Sequence, residues 1–194
     1  MRMIGFSMNK RHFFSIAILG ASAILSSSTL VLAEEVTCRS RLGAVTVDNL
    51  RVPDGATCTL SGTKVKGNIK VESKATLRAT NINVVGNIQA ENSKNVVVNS
   101  NSVIGGSIQI KQSGAAQITN SRINQDLQFD ENTAQLTANG NTIGGNLQAF
   151  KNTGGITIRT NKIDGNLQCK ENRPAPTGGG NIVQGNKEDQ CSRL

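Results

Sequence analysis

The chain contains no tryptophan and no tyrosine, and after residue 33 it contains no histidine and no methionine. Without histidine, residues 34–194 cannot form Ser–His or Cys–His nucleophilic pairs or bind a metal through imidazole. Phe129 and Phe150 are the only aromatic residues after position 33, so the stacking platforms of single-stranded nucleic-acid sites are sparse. No stretch after residue 33 repeats its apolar residues with the 3.6-residue period of a helix. These absences argue against nucleic-acid binding, most catalytic sites and a helical fold.

The first 33 residues have the features of a secretory signal peptide. Lys10 and Arg11 precede an apolar stretch, residues 13–25, and Ala33 ends the segment with a small residue suited to cleavage. A serine run after residue 25 interrupts the ~20 apolar residues that a transmembrane helix needs. We therefore expect cleavage, no transmembrane segment afterwards, and a secreted, periplasmic or cell-envelope location.

The exported part is mildly basic and contains all four cysteines. Three of the 21 lysines and arginines precede residue 34, which leaves 18 against 13 acidic residues, a net charge of +5. These charges are scattered along the sequence, which predicts a solvated surface and no nucleic-acid stripe. Cys38 and Cys58 are 20 residues apart, and Cys169 and Cys191 are 22 apart. In an exported chain this spacing favours two disulfides, one at each end, over a metal site, and we expect no cofactor.

One six-residue motif dominates the rest of the sequence. Its seven copies begin at residues 65, 84, 104, 123, 143, 163 and 183, in steps of 19 or 20. Each copy carries two β-like runs. The first begins within the motif, as at 127–129, and the second lies about ten residues later, as at 156–158. Both runs alternate apolar with polar residues and are rich in β-branched types. Asn, Gly and Ser between the runs predict turns.

So short a run cannot bury its own apolar face, so successive coils must stack with equivalent strands ~4.8 Å apart. The sequence thus predicts an all-β, single-stranded parallel β-helix (β-solenoid) of about seven 19–20-residue coils. We expect residues 34–62 to form an N-terminal cap with the first disulfide, and residues 63–194 to form the β-helix with a disulfide-closed last coil. A leucine-rich repeat has a similar period, but the second run of each copy is typical of a strand.

Stacking would align residues about 20 apart into columns. We expect an alternating charged ladder that fixes the register, and it comprises Glu91, Lys111, Glu131, Lys151 and Glu171. The residues that follow these would form an amide ladder of Asn92, Gln112, Asn132, Asn152 and Asn172. A further ladder, continued by Lys70, comprises Gln89, Gln109, Gln128, Gln148 and Gln168.

The weak catalytic candidates are Asp126, Asp130 and Glu131, because carboxylates with Lys or Arg are what remains for acid–base chemistry. Asp126 stands where other copies have Asn or Ser, which makes it a candidate for calcium or acid–base work. The simpler interpretation is that it accepts the same turn hydrogen bonds as Asn. A column of Thr119, Thr137 and Thr157 would be the basis of an ice-binding face.

Residues 52–69, the repeated Gly-Asn-Leu-Gln and the ending 183–191 resemble small exported bacterial proteins of uncharacterised function. Their fold is similar to the right-handed parallel β-helix of the pectin-lyase-like superfamily. The resemblance covers residues ~45–191 and implies this fold and export, but no activity. The long loops and clustered catalytic residues of the lyases are missing, so no lyase residue is carried over.

We therefore expect an exported, non-enzymatic structural or interaction module of the cell envelope or extracellular space. Its expected partners are an envelope polysaccharide, another envelope protein or a second copy in end-to-end contact. The alternatives are a polysaccharide-acting lyase or hydrolase and an ice-binding protein.

Overall fold

Every regular element of residues 34–194 is a β-strand. The structure, a computed structural model, describes residues 34–194, and the predicted signal peptide lies outside the described residues. Their strands, β1 to β25, form three parallel sheets, which we name A, B and C. Among the described residues there is no helix long and apolar enough to cross a membrane.

Sheet A has nine strands: β1 (Glu35–Thr37), β4 (Asn49–Val52), β7 (Ile69–Val71), β10 (Ile88–Glu91), β13 (Ile108–Lys111), β16 (Leu127–Asp130), β19 (Leu147–Phe150), β22 (Leu167–Lys170) and β25 (Lys187–Asp189). Sheet B has eight: β2 (Arg41–Leu42), β5 (Thr57–Ser61), β8 (Thr76–Thr80), β11 (Asn95–Asn99), β14 (Ala115–Thr119), β17 (Leu136–Asn139), β20 (Ile156–Arg159) and β23 (Thr177–Gly179). Sheet C also has eight: β3 (Thr46–Val47), β6 (Lys64–Val65), β9 (Asn83–Val84), β12 (Val103–Ile104), β15 (Arg122–Ile123), β18 (Thr142–Ile143), β21 (Lys162–Ile163) and β24 (Ile182–Val183).

The chain passes through sheets A, B and C in each coil and then begins the next coil beside the last. This is the predicted parallel β-solenoid, and the fold class is confirmed. The sequence indicated two strands in each coil, whereas the structure has three. The third, in sheet C, is only two residues long, so it is too short to show the alternation that reveals a strand.

Alternation along each strand builds the core. In β13, Ile108 and Ile110 are buried, whereas Gln109 and Lys111 face outwards, because successive side chains of a strand point to opposite faces. The inward residues of successive coils stack on one another, as Ile108 does on Leu127. The core is therefore a continuous apolar column along the rod.

Both predicted disulfides are present. Cys38 bonds to Cys58 with a Cα–Cα distance of 5.5 Å, and Cys169 bonds to Cys191 with 5.2 Å. Each joins neighbouring coils at one end of the solenoid, and all four cysteines are buried. A closed loop of this size stabilises the fold by ~3 kcal/mol in the chain-entropy model. Residues 34–62, expected as a cap, contain β1 to β5, which pair within the same three sheets.

Asparagine residues line the corners between sheets, and the side chain of each forms hydrogen bonds with a neighbouring coil. At the A–B corner Asn132, Asn152 and Asn172 are buried, and the backbone N–H of Asn132 donates to Oδ1 of Asn152 at 2.9 Å. At the B–C corner Asn141, Asn161 and Asn181 repeat this pattern. These ladders supply partners for turn N–H and C=O groups that the sheets leave unpaired, which buried backbone requires.

Candidate functional site

Asp126 lies at the C–A corner and takes part in a corner ladder. Its Oδ1 accepts from the backbone N–H of Asn146 at 2.7 Å and from Nδ2 of Asn146 at 3.2 Å. Its own N–H donates to Oγ of Ser107 at 3.2 Å. In the next coil Oδ1 of Asn146 accepts from the N–H of Asn166 in the same way. The carboxylate of Asp126 therefore does what asparagine does in neighbouring coils.

The other two carboxylate candidates lie away from Asp126. Asp130 ends β16 on the outer face, four residues from Asp126, which is about 13 Å along an extended strand. Glu131 follows at the A–B corner with φ 55°, where it accepts from Nε2 of Gln112 at 2.9 Å and lies 4.0 Å from Nζ of Lys151. The three candidates therefore do not converge on one point. Within residues 34–194, no three Asp, Glu, His or Cys side chains form a group able to hold a metal ion.

The predicted charged ladder is wrong at one step. Glu91 pairs with Lys111 as expected, but Lys111 then pairs with Asp130 and not with Glu131. The reason is that this step of sheet A spans 19 residues, whereas the ladder assumed 20. Asp130 is followed in the column by Phe150 and Lys170. The column therefore alternates in sign only over its first three members and then reaches an aromatic ring.

The same 19-residue step displaces the predicted amide column. Asn132, Asn152 and Asn172 do stack, but the earlier members of their column are Ser93 and Ser113. Asn92 and Gln112 instead precede Glu131 in the adjoining column, as the bond from Gln112 to Glu131 shows.

On sheet B, the observed threonine column begins one coil later than the predicted column. Thr119 pairs with Asn139, so it does not lie in the expected column. Thr137 pairs with Thr157, which pairs with Thr177. A Thr column therefore exists over three coils, one coil later than expected.

Replacing Lys111 with glutamate should destabilise the fold. The substitution places three carboxylates side by side, because Lys111 lies between Glu91 and Asp130. Cross-strand charge pairs are each worth ~0.2–1 kcal/mol, so we expect a loss of about 1–2 kcal/mol at low salt that shrinks at high salt. Urea unfolding followed by circular dichroism at two ionic strengths measures it.

The control for Lys111→Glu is Gln117→Glu on β14. Gln117 is exposed and pairs with Val97 and Thr137, so its column neighbours are uncharged. We expect this variant to unfold within about 0.5 kcal/mol of the native protein. Equal unfolding free energies for Lys111→Glu and the native protein at low salt would refute the observed register.

The predicted glutamine ladder runs along the middle of the outer face of sheet A. Its five members are joined by side-chain hydrogen bonds from Nε2 to the next Oε1, with lengths of 3.3, 3.2, 3.0 and 2.8 Å. Each amide has two N–H donors and an oxygen with two lone pairs. The ladder uses one donor and one lone pair of an interior member such as Gln109, so the rest remain available to a ligand.

An open depression of about 740 Å³ lies over this ladder. It extends across β7, β10, β13 and β16. Its rim is charged and its floor consists of amides, and the lining includes Lys70, Glu72, Gln89, Glu91, Gln109, Lys111, Gln128 and Asp130. The depression is therefore a concave polar surface on the outer face of sheet A.

Sequence reasoning missed the place of Phe150. Phe129 is fully buried, but Phe150 is half-buried on the outer face of sheet A, where it lines a second depression of about 400 Å³ with Lys151 and Lys170. The signal was present, because Phe150 is two residues after Gln148 and so shares the face of the glutamine ladder. Sheet A therefore does present one aromatic ring to solvent.

Ion pairs tie the first coils together. Arg51 on β4 donates to Glu35 at 2.8 Å and lies 3.4 Å from Glu72, and the hydrogen bond to Glu35 raises the pKa of Arg51 above its usual value. Lys66 contacts Asp48 at 2.9 Å, and this hydrogen bond lowers the pKa of Asp48. These contacts link coils and do not enclose a site.

The C-terminal end of the solenoid is charged. Lys187 on β25 pairs with Leu167 and so occupies a column that is otherwise aliphatic, yet its side chain is exposed. A charge in such a place hinders pairing of an exposed sheet edge. The charge of Lys187 therefore disfavours strand pairing at this end, and the expected end-to-end contact stays a prediction.

The fold and the face together define a class of protein, a disulfide-closed parallel β-solenoid with an amide-lined outer sheet. No family model, no curated protein and no solved structure matches the chain. Its function must therefore be argued from its own residues.

Proposed function

We propose that the protein is an exported, non-enzymatic interaction module of the cell envelope or extracellular space, and that it binds an envelope polysaccharide on the outer face of sheet A. The observation that carries this proposal is the amide-floored depression over the glutamine ladder. Its free donors and lone pairs match the hydroxyl groups of sugars. They recur every coil, about 4.8 Å along the rod, so a polymer with a regular repeat makes the same contact several times.

Phe150 strengthens the choice of a sugar polymer. Binding sites combine a few placed polar groups with apolar or aromatic surface. Phe150 lies on the same strand as Gln148 and beside Lys170 on the next strand, so a ring stacked on it remains within reach of amide groups.

The non-enzymatic part of the proposal rests on the carboxylates. Asp126 is engaged in the C–A corner ladder, and Glu131 is bonded to Gln112. Hydrolysis of a glycosidic bond uses two carboxyl groups that face each other across the bond. Asp126 instead lies at the C–A corner before β16, whereas Asp130 ends that strand.

Export is supported by the first 33 residues and by the two disulfides, which persist in oxidising compartments. The resemblance over residues ~45–191 extends the proposal to a bacterial source and to the right-handed coiling of the pectin-lyase-like superfamily. The secreted, periplasmic and envelope-bound locations all agree with such a module.

Binding to neutral polysaccharides tests the proposal. The chain recovered from the exported fraction, whose N-terminus we expect at Glu34, is titrated with neutral glucans by calorimetry. A Gln109→Ala, Gln128→Ala double variant should bind at least tenfold more weakly. Gln117→Ala, an exposed glutamine on sheet B, is the matched control and should bind as the native protein does. Equal affinity of the two variants, or shortened polysaccharide after incubation, would contradict the proposal.

A further inference from the structure

Charges that are scattered along the sequence are sorted by face in the structure. The strands of sheet A carry equal numbers of cationic and anionic residues. The strands of sheets B and C carry no anionic residue at all, and their cationic residues are Arg41, Lys64, Arg78, Arg122, Arg159 and Lys162. The excess positive charge of the exported part is therefore on the side of the rod away from sheet A.

Four of these residues line the corner between sheets B and C. Three of them begin strands of sheet C and lie in one outward column. Arg122 is three coils after Lys64, and Lys162 is two coils after Arg122. At ~4.8 Å per coil, these separations are about 14 and 10 Å. Arg159 ends β20, across the corner from Lys162. We call these four exposed residues the basic corner.

The basic corner is not neutralised by the protein itself. None of its four residues has a carboxylate of residues 34–194 within 4.0 Å, whereas Arg51, Lys66 and Lys70 on other parts of the surface do. Residues 1–33 contain no Asp or Glu. Asp164, the acidic residue nearest in sequence, accepts from Nε2 of Gln184 at 3.1 Å. The cations are therefore available to an external anion.

We propose that the basic corner binds an extended acidic polysaccharide that lies along the rod. The spacing of the cations is about equal to or longer than the Debye length at physiological salt, ~8 Å, so they act one by one and suit a polymer whose charges recur along its length. A compact anion such as phosphate would meet Arg159 and Lys162 but not Lys64. Uncharged Thr119, Asn120 and Thr142 lie between the cations and suit the hydroxyl groups of sugars.

Two other polyanions fit this surface less well. Single-stranded nucleic acids stack their bases on aromatic rings, and the strands of sheets B and C contain none. An anionic membrane is bound through buried apolar area together with charge. The exposed aliphatic side chains here are Val45, Val85 and Ile182, which are 46%, 65% and 63% exposed. Two coils separate the first pair and five coils the second, about 10 and 24 Å. They are isolated and do not form an inserting surface.

This inference concerns a face different from that of the proposed function, so the two are tested separately. The probe is heparin, used as a soluble acidic polysaccharide in titrations at several NaCl concentrations. The corner variant is Arg122→Gln, Arg159→Gln, Lys162→Gln. The matched variant is Lys70→Gln, Lys170→Gln, Lys187→Gln on sheet A, which lowers the net charge equally. Circular dichroism verifies that both are folded.

The corner variant should bind heparin at least tenfold more weakly, with a flatter dependence of the logarithm of affinity on the logarithm of salt. The matched variant should change less than threefold, and binding of neutral glucans should be unchanged in the corner variant. Equal losses in the two variants would overturn the proposal, because total charge would then explain binding. Tighter binding to oligothymidylate or to phosphatidylglycerol vesicles than to heparin would also overturn it.

Discussion

Asn152→Ala is expected to destabilise the protein by about 3–6 kcal/mol, since it removes the centre of a buried ladder. Nδ2 of Asn152 donates to the carbonyl of Phe129 at 3.0 Å and to Oδ1 of Asn172 at 2.9 Å. Its Oδ1 accepts from the backbone N–H and from Nδ2 of Asn132, both at 2.9 Å. The substitution leaves several of these groups buried without a partner, and each such group costs about 1–3 kcal/mol. A loss of this size is comparable to the whole stability of many domains.

Urea unfolding followed by far-ultraviolet circular dichroism measures this effect, since the chain has no tryptophan for fluorescence. Asn124→Ala is the matched control: Asn124 is exposed, and we expect a change within about 0.5 kcal/mol. Asn152→Ser should cost less than alanine, because Ser93 and Ser113 already occupy the same column and bond to each other at 3.0 Å. If Asn152→Ala and Asn124→Ala lose similar free energy, the ladder is not a source of stability.

Phe129→Ala should cost about 3–5 kcal/mol, as large-to-small substitutions in cores do. Phe129 is fully buried and stacks between Ile110 and Ala149 in the core of sheet A. The small side chain of Ala149 cannot expand into the space, so a cavity remains. Neighbouring coils are held at the strand spacing by backbone hydrogen bonds and cannot close it.

The chain supplies its own control for this prediction. Phe150 differs from Phe129 in facing water from sheet A, so Phe150→Ala should cost less than about 1 kcal/mol. The same variant should weaken neutral polysaccharide binding, which Phe129→Leu should leave unchanged. Equal losses of unfolding free energy for the two alanine variants would show that the inward and outward faces of sheet A are assigned incorrectly.

The fold was predictable because its cause is local and repeated. A run such as Ile108–Lys111 alternates apolar and polar residues, which predicts a strand. Because the motif repeats, the neighbouring coils can bury the apolar side chains of each short strand. The cysteine spacing of about one coil then predicted both disulfides. No long-range information was needed for either inference.

The register was not predictable, because the coils reach the same length in different ways. In one coil the extra residue is at the B–C corner, where Ser100 and Asn101 both have positive φ. In later coils it is at the A–B corner, so Lys111 pairs with Asp130 while Gln117 pairs with Thr137. The spacing of the motif is 19 or 20 in each case and does not reveal which corner holds the residue. A step of one residue exchanges every neighbour in a column.

The sequence by itself determined the solenoid, the paired cysteines and the glutamine ladder, because these follow from a period that the chain repeats. The tertiary structure alone decided which charges meet, that Asp126 is engaged at a corner, and that Phe150 faces solvent beside the ladder. The tertiary structure also placed cationic residues that are distant in the sequence on one face, so that Arg122 and Lys162 lie in one column. The physical reason is that strand formation depends on neighbouring residues, whereas the composition of a face depends on where each corner adds or omits a residue.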